Sequence, residues 1–462
     1  MLIILLSLVS SGVSYLSIVA YSADIISSVN QSSFGFRIVS QSDTGYPLMR
    51  AGVIRTPHGD IKTPNFNLVG TMGSVRFLPP SDMRTVGAQV MLSNGYHLYR
   101  RATVISASGG LAQWSGWQGP TFTDSGGFQV MSLGSGLGKV ISMAGDKANQ
   151  SELREPDERL ALVDEEGVEF RDPFSGRIIK FTPEISIATQ HKIGADVMMS
   201  FDELTNINDT YEYNVRSLER TRRWAERGLA EHIRQTALRS DRPYQALYGV
   251  LQGSYFLDLR RRAARDISRM NINGHYFDGF GLGGALDKAN LSEILEAMNE
   301  ILPADKPRHL LGLSHPDDIF VGVEAGVDTF DCVAPTREAR HGRIYTLDGN
   351  YNIKRSMYRD DTQVLSPGCD CPTCRAGYTR AELRALLKSA EHTERARAFN
   401  LLTAHNTRFI IRLCEQIRRA IMGGSYQQFR DDFCRRYYRA SASSDRLTDD
   451  DVSGHGRCLG VE

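Results

Sequence analysis

The stretch QALYGVLQGS (Gln245–Ser254) joins a short apolar run to a glutamine and a glycine. Such a run indicates a strand buried on both faces, as in a parallel sheet. Similar runs recur at Gln89–Ser93, Asp196–Phe201, Phe277–Leu282, His309–Leu313 and Asp328–Val333. Amphipathic helical patterns, such as Tyr211–Gln235 and Leu257–Met270, lie between them. This alternation predicts an α/β fold.

Polar, acidic or glycine residues follow these runs at the point where each strand ends. They are Asn94, Asp202, Glu203, Gln252, Gly283, Gly284, Gly312 and Asp331, with Asp124 after the short run Thr121–Thr123. A (β/α)8 barrel builds its active site at this end of its strands, and a doubly wound open sheet also binds ligands there. Because nearly every strand contributes, we favour an irregular (β/α)8 TIM barrel over the open sheet.

The composition is that of a globular enzyme. The 462 residues include 54 Lys+Arg and 54 Asp+Glu, with 41% apolar and 23% charged residues. These values exclude a disordered chain, a coiled coil and a polytopic membrane protein. The net charge of zero provides no overall attraction to nucleic acid, so a polyanionic partner requires a local cationic patch.

The two ends differ from the middle of the chain. Residues 1–32 begin with an apolar stretch that has no Lys or Arg before it. It is either a membrane or export segment or an upstream extension, and we predict an extension on a cytoplasmic enzyme. Residues 439–462 are polar and acidic and predict a disordered tail. The barrel is expected over 33–438.

Three cysteines form the pattern C-x-C-x2-C at Cys369, Cys371 and Cys374. Three thiolates in a tight loop predict a metal site, completed by a histidine, either His392 or His405. A closed Cys3His set indicates structural zinc, in a subdomain at about 360–415. There are two alternatives. One is an iron–sulfur cluster that takes its fourth ligand from another cysteine, and the other is three cysteines that bind no metal.

Two carboxylates carry the predicted chemistry. Asp124 precedes two glycines, and Asp331 precedes a segment with three arginines, Arg337, Arg340 and Arg343. Two carboxylates in one cleft suit glycosidic chemistry, with one as nucleophile and the other as acid/base, and arginines suit a phosphate nearby. Alternatively, Asp124 caps a turn and Asp331 forms an ion pair with Arg337.

The remaining polar groups at the strand ends suit a planar heterocycle. Asp202 and Gln252 can read the hydrogen-bonding edge of a purine-like base, and the backbone of Gly284 can add to this. Several histidines are interpreted as structural, namely His97, His275, His309 and His315. Arginines of the helical segments either bind phosphate or form a solvated helix face. They are Arg220, Arg222, Arg223, Arg260, Arg261 and Arg262.

Seven motifs then occur in order along the chain. They are DSGGFQV (Asp124–Val130), FDE (Phe201–Glu203), GVLQGS (Gly249–Ser254), GG (Gly283–Gly284), FDCVAPTREARHG (Phe330–Gly342), CDCPTC (Cys369–Cys374) and HN (His405–Asn406). With them the chain resembles the bacterial-type queuine/tRNA-guanine transglycosylases from about Phe34 to Tyr438. The resemblance implies a (β/α)8 barrel with a zinc subdomain near its C-terminal end, and a homodimer.

The resemblance also implies a reaction in queuosine biosynthesis. The wobble guanine of tRNAs with GUN anticodons (Asp, Asn, His, Tyr) is exchanged for a 7-deazaguanine base through a covalent enzyme–RNA intermediate. Asp331 is then the nucleophile and Asp124 the general acid/base. The base contacts are Ser125, Gly126, Gly127, Phe128, Asp202, Gln252 and Gly284. The tRNA contacts are Gly312, Leu313, Ser314, His315, Pro316, Asp317, Asp318, Thr336, Arg337, Glu338, Ala339 and Arg340. The zinc ligands are Cys369, Cys371, Cys374 and His405.

Departures from the usual motifs fall around the base pocket, at Gly95, Leu204 and Ala285. The resemblance includes no extra RNA-binding domain after the barrel, which favours the bacterial type, and the incoming base is expected to be 7-aminomethyl-7-deazaguanine (preQ1), with queuine as the alternative. A catalytically silent partner subunit and a barrel glycoside hydrolase or N-glycosidase are the competing functions. The presence of both Asp124 and Asp331 argues against the silent subunit.

Overall fold

The computed structural model describes residues 33–42, 45–129, 161–172, 175–239, 242–284, 286 and 288–442. The predicted extension at 1–32 and the tail from 443 onward lie outside these residues. The last helix runs to Ala442, so the start of the predicted tail at 439 was wrong by four residues. Among the described helices, none has both the length and the apolar character that crossing a bilayer requires.

The strands share a short length and, in the barrel, nearly complete burial. Within the described residues they are β1 (Gly35–Gln41), β2 (Arg50–Thr56), β3 (Gly59–Thr63), β4 (Asn65–Val69), β5 (Met91–Ser93), β6 (Thr121–Thr123), β7 (Ala161–Val163), β8 (Val168–Arg171), β9 (Ile178–Phe181), β10 (Val197–Met199), β11 (Ala246–Leu251), β12 (Gly279–Leu282), β13 (Arg308–Leu310), β14 (Thr329–Cys332), β15 (Arg343–Thr346) and β16 (Gly349–Asn352).

The helices vary from one turn to more than eight turns. Within the described residues they are α1 (Pro80–Thr85), α2 (Gly95–Tyr99), α3 (Ala102–Ala107), α4 (Leu111–Ser115), α5 (Pro183–Ile193), α6 (Tyr211–Ala237), α7 (Leu257–Ser268), α8 (Leu291–Asn299), α9 (Pro316–Glu324), α10 (Ala334–His341), α11 (Pro372–Arg375), α12 (Arg380–Lys388), α13 (His392–Met422) and α14 (Tyr426–Ala442). Short 3₁₀ helices lie at Lys288–Asn290 and Ser356–Tyr358.

Eight parallel strands of the described chain close into a barrel in the order β4, β5, β6, β10, β11, β12, β13 and β14. The closing pair joins β14 to β4, with Asp331 opposite Asn67. The predicted α/β barrel is therefore confirmed. The barrel is irregular because the antiparallel sheet β7–β9 lies between β6 and β10, and because α13 packs on β4.

The antiparallel sheet β1–β3 covers the N-terminal end of the barrel. Ile54 and Ile61 of this sheet share one buried cluster with barrel residues such as Phe122 and Tyr248. Arg50 fixes the sheet to the barrel through two hydrogen bonds to the buried carboxylate of Asp328, at 3.1 and 2.6 Å. This end is closed, which leaves the C-terminal rim for ligands.

A second hydrophobic cluster forms beyond β14. Residues from β15, β16, α12 and the start of α13 pack together there, among them Ile344, Tyr351, Leu383 and Leu402. The buried cysteines Cys371 and Cys374 belong to the same cluster. The barrel thus carries a small C-terminal subdomain with its own core, as expected for a metal-binding insertion.

Candidate active site and metal centre

The barrel rim brings together most of the residues that the sequence singled out. Asp124 follows β6, Asp202 follows β10, Gln252 follows β11 and Gly284 follows β12, while Asp331 lies in β14. Because parallel strands end at one edge of the barrel, these side chains share one cleft although they are far apart in sequence.

Three donors hold the carboxylate of Asp124. Oδ1 accepts hydrogen bonds from the backbone N–H groups of Gly95 (2.8 Å) and Gly126 (3.0 Å). Oδ2 accepts one from Nδ2 of Asn94 at 2.6 Å. Gly126 has a φ of +81°, and a Cβ there would lie 2.9 Å from the backbone nitrogen of Tyr96, so a larger residue would disturb this contact.

Burial raises the pKa of Asp124 to about 7, against the opposing effect of the hydrogen bonds from Gly95 and Gly126. The nearby carboxylate of Asp331 raises this pKa further, which shows that the two acids face each other electrostatically. A carboxyl group with a pKa near neutrality exists in both forms under working conditions. Asp124 can therefore give a proton and take one back.

Two groups of the neighbouring strand β13 and its loop approach Asp331. The backbone N–H of Gly312 donates to Oδ1 at 3.3 Å, and Nε2 of His309 lies 3.1 Å from the same oxygen. Within the described residues, no ion pair joins Arg337 to Asp331, so the alternative of a salt-bridged aspartate was wrong. His309, which was interpreted from the sequence as structural, thus lies beside Asp331.

Asp202 and Gln252 form a polar wall beside Asp124. Nε2 of Gln252 donates to Oδ2 of Asp202 at 2.6 Å, and the hydroxyl of Ser125 donates to Oδ1 at 3.2 Å. Burial raises the pKa of Asp202 to about 6. Oε1 of Gln252 is buried without a protein partner, so it is an acceptor available to a bound group.

The loop glycines keep this wall accessible. Gly284 has a φ of +100°, and a Cβ there would lie 2.6 Å from Oε1 of Gln252. Gly127 donates its N–H to the Ser125 hydroxyl at 3.2 Å, and the half-buried Phe128 follows in the same turn.

Three arginines that form no ion pair with a described acidic residue are associated with β14 and the helix that follows it. Burial and the charges of Arg76 and Arg337 lower the pKa of Arg340, which shows that these three cations lie close together. Nη1 of Arg340 donates to the carbonyl of Thr336 at 2.8 Å, which fixes its guanidinium on α10. Arg76 was not singled out from the sequence. The loop that carries this residue follows β4, and it comes close to α10 only in the folded barrel, where β14 pairs with β4.

The other predicted tRNA contacts have mixed exposure. Leu313, Asp317 and Asp318 are buried, and Asp317 accepts a hydrogen bond from the Tyr438 hydroxyl at 3.1 Å. Thr336 and Ala339 are also buried, whereas Arg337 is exposed. The remaining predicted tRNA contacts also follow β13 or lie on α10. They are Gly312, Ser314, His315, Pro316 and Glu338. Side chains that face inward can shape the surface without touching a ligand.

The helical arginines do not form a free cationic surface. Arg260 is fully buried and donates to the carbonyls of Ser254 and Gly283, both at 2.6 Å. Four of the other arginines form ion pairs with glutamates. These pairs are Arg220–Glu203, Arg222–Glu226, Arg223–Glu165 and Arg262–Glu219. The phosphate-binding interpretation of this set was therefore wrong for Arg260.

The cysteine pattern does form a metal-type cluster. Ligand atoms of Cys369, Cys371, Cys374 and His405 all lie within 4.8 Å of one another. Nδ1 of His405 lies 3.7, 3.3 and 3.5 Å from the sulfurs of Cys369, Cys371 and Cys374, respectively. Three sulfurs and one imidazole nitrogen fit a tetrahedral, closed site, in which no position remains for substrate.

The neighbouring groups orient these ligands and settle which histidine takes part. Nε2 of His405 donates to the carbonyl of Tyr345 at 2.8 Å, which leaves the Nδ1 lone pair for a metal. The backbone N–H of Cys374 donates to the sulfur of Cys371 at 3.2 Å. His392 lies at the first position of α13 beside Arg395, outside the cluster. His405, and not His392, therefore completes this possible metal-binding cluster.

Comparisons with known proteins agree with this arrangement. A model of the family described as queuine tRNA-ribosyltransferase matches residues 46–439. A queuine tRNA-ribosyltransferase of Lactococcus lactis subsp. lactis (strain IL1403) is 40% identical over 390 residues, which cover 84% of this chain and 92% of the relative. One from Geobacillus thermodenitrificans (strain NG80-2) is 40% identical over 390 residues, with coverages of 84% and 93%. The chain belongs to the queuine tRNA-ribosyltransferase family of transglycosylases.

Proposed function

We propose that this enzyme exchanges the wobble guanine of tRNAs with GUN anticodons for a 7-deazaguanine base, preQ1, by double displacement. The observation that carries the proposal is the pair of carboxylates at one rim, of which Asp124 has a pKa raised to about 7 by burial and by Asp331. Asp124, which can hold a proton, suits the acid/base, and Asp331, which accepts the N–H of Gly312, suits the nucleophile in retaining glycosidic chemistry.

In the first step, Oδ2 of Asp331 attacks C1′ of the ribose. The bond from C1′ to the guanine nitrogen breaks, and the departing base takes a proton from Asp124. In the second step, Asp124 removes a proton from the incoming base, whose nitrogen attacks C1′ and releases the Asp331 carboxylate. The first step leaves Asp331 as an ester and Asp124 without its proton, and the second step restores both groups, so the exchange needs no further reactant.

The polar wall supports recognition of the base. Asp202 and Gln252 present acceptor and donor atoms toward the amide and amino edge of a guanine-like ring, and Oε1 of Gln252 is still unpaired there. Phe128 supplies a face for stacking. Turning a base out of a single-stranded loop requires little free energy of unstacking. An anticodon loop therefore suits this cleft better than a duplex does.

The arginine cluster supports binding of the anticodon loop. Arg76, Arg337 and Arg340 concentrate positive charge beside Asp331, although the chain has no net charge. Phosphates on either side of the reacting nucleotide would relieve the repulsion among these cations. The metal would be zinc in the Cys3His site, where it would hold the subdomain and α13 together without entering the reaction.

The test is the exchange of radiolabelled guanine into an unmodified tRNA with a GUN anticodon, using the full-length protein, with preQ1 and queuine as competitors. We expect incorporation, blocked by preQ1 at lower concentration than by queuine. A tRNA whose wobble base is not guanine serves as the control. No incorporation by folded, metal-loaded protein would contradict the proposal and favour the silent partner subunit.

The raised pKa of Asp124 makes a prediction about pH. Asp124 is mostly protonated below about pH 7, so the rate of guanine release should level off well below this value and should fall as pH rises through it. Asp124→Asn should lower this rate by about 10²- to 10⁴-fold and remove the dependence. Rapid-quench measurement of released guanine provides the check. A variant that keeps the same pH profile would show that another group supplies the proton.

A further inference from the structure

His309 lies inside the barrel, on β13 beside the strand that carries Asp331. Its side chain is fully buried, and its ring packs edge-on against Phe122 with 5.6 Å between ring centroids. Nδ1 lies 2.9 Å from Oγ1 of Thr329, and Nε2 lies 3.1 Å from Oδ1 of Asp331. Nε2 makes no aligned hydrogen bond to any described residue, so the carboxylate is the polar group that it approaches.

The protonation of the ring follows from its two neighbours. If the Thr329 hydroxyl donates to Nδ1, the proton of a neutral imidazole lies on Nε2. If Nδ1 alone carried the proton, Nε2 would keep its lone pair while lying 3.1 Å from a carboxylate oxygen, which is unfavourable. A doubly protonated ring again has a proton on Nε2. Every favourable arrangement thus places a proton on Nε2, the ring nitrogen that lies beside Oδ1 of Asp331.

This geometry distinguishes the two oxygens of Asp331. Oδ1 lies close to both Nε2 of His309 and the N–H of Gly312, whereas no described residue donates a hydrogen bond to Oδ2. We propose that His309 is a positioning residue, which holds Oδ1 of Asp331 and so directs Oδ2 at C1′ of the ribose. The inference rests on the proposed double displacement and adds a role for a residue outside the base and tRNA contacts.

The N–H of His309 can act in both half-reactions without transferring its proton. During attack, holding Oδ1 prevents rotation of the Asp331 carboxylate, and this keeps the lone pair of Oδ2 in line with the C1′–base bond. The carboxylate then becomes an ester, with Oδ1 as its carbonyl oxygen. When the incoming base displaces the ester, negative charge returns to Oδ1, and the N–H of His309 stabilises it. We expect the hydrogen bond from Nε2 of His309 to Oδ1 of Asp331 to become better aligned once substrate fills the cleft, as often happens for catalytic hydrogen bonds.

The test compares two substitutions of His309 in the full-length enzyme. His309→Phe keeps the shape and burial of the ring but removes the N–H. We expect it to lower kcat for base exchange by about a hundredfold, with the KM for tRNA unchanged, because the nucleophile is misplaced while RNA contacts persist. His309→Gln places an amide nitrogen near the position of Nε2 and should restore most of kcat. His191→Gln, at another buried histidine on α5, is the matched control and should leave kcat unchanged.

The outcomes separate this inference from the proposed function. Wild-type exchange together with unchanged kcat in His309→Phe would overturn the inference alone. Equal losses in the Phe and Gln variants at equal thermal stability would also overturn it, since the N–H would then not matter. If His309→Phe does not fold, His309→Asn replaces it, because its shorter amide does not reach Oδ1. Absence of exchange by the wild-type enzyme would contradict the proposed function and this inference with it.

Discussion

Asp331→Asn is expected to abolish the covalent enzyme–RNA adduct and to lower base exchange by about 10⁴-fold or more. An amide is uncharged and is a far weaker nucleophile than a carboxylate, yet it fills the same space. The contacts of Oδ1 with Gly312 and His309 can persist in the variant. Loss of activity would therefore report chemistry rather than misfolding.

The measurement is a denaturing gel, on which RNA bound covalently to protein migrates more slowly than free RNA. Asp124→Asn is the matched comparison, since it removes a carboxylate from the same cleft without removing the nucleophile. It should still give the adduct on long incubation, while its turnover is slow. A shifted RNA band with Asp331→Asn would show that another residue attacks the ribose.

Cys371→Ser is expected to lose the bound metal and to lower the free energy of unfolding by at least about 4 kcal/mol. Cys371 is fully buried in the core of the C-terminal subdomain, and its sulfur also accepts the N–H of Cys374 at the start of α11. Serine is a poor ligand for a metal that prefers sulfur. Both the metal site and the packing of α11 against α13 depend on this thiolate.

Elemental analysis and denaturant unfolding of the purified variant provide the check. Cys414→Ser is the control, because Cys414 is a buried cysteine on α13 that lies outside the cluster. It should keep one metal per chain although the new hydroxyl costs some stability. Full metal content in Cys371→Ser would remove this residue from the ligand set.

The sequence predicted the barrel because fully buried parallel strands form short apolar runs. Strand β13 begins one residue before its predicted run, and β5, β10, β11, β12 and β14 lie inside theirs. Strand β4 was missed because Asn65 and Asn67 interrupt its apolar pattern. In the barrel these two side chains are buried, and Nδ2 of Asn65 donates to Oδ1 of Asn67 at 2.8 Å, which offsets part of the penalty that their polarity implies.

Site residues were predictable where a polar side chain directly follows an apolar run in the sequence, as for Asp124, Asp202 and Gln252. It was not predictable where function depends on a neighbour across the barrel. His309 belongs to the site only because β13 and β14 pair with His309 opposite Thr329, which sets both side chains on the interior face. Likewise, Asn94 supports Asp124 only because β5 pairs with β6.

The seam between β14 and β4 also determines when the enzyme becomes competent during synthesis. Strand β4 leaves the ribosome early, whereas its partner, which carries Asp331, emerges only after all the other barrel strands, and α13 follows later still. Contacts between such distant segments form slowly because the chain entropy of a long loop must be lost first. A chain that ends before β14 lacks Asp331, and under the proposed mechanism it cannot become trapped on RNA.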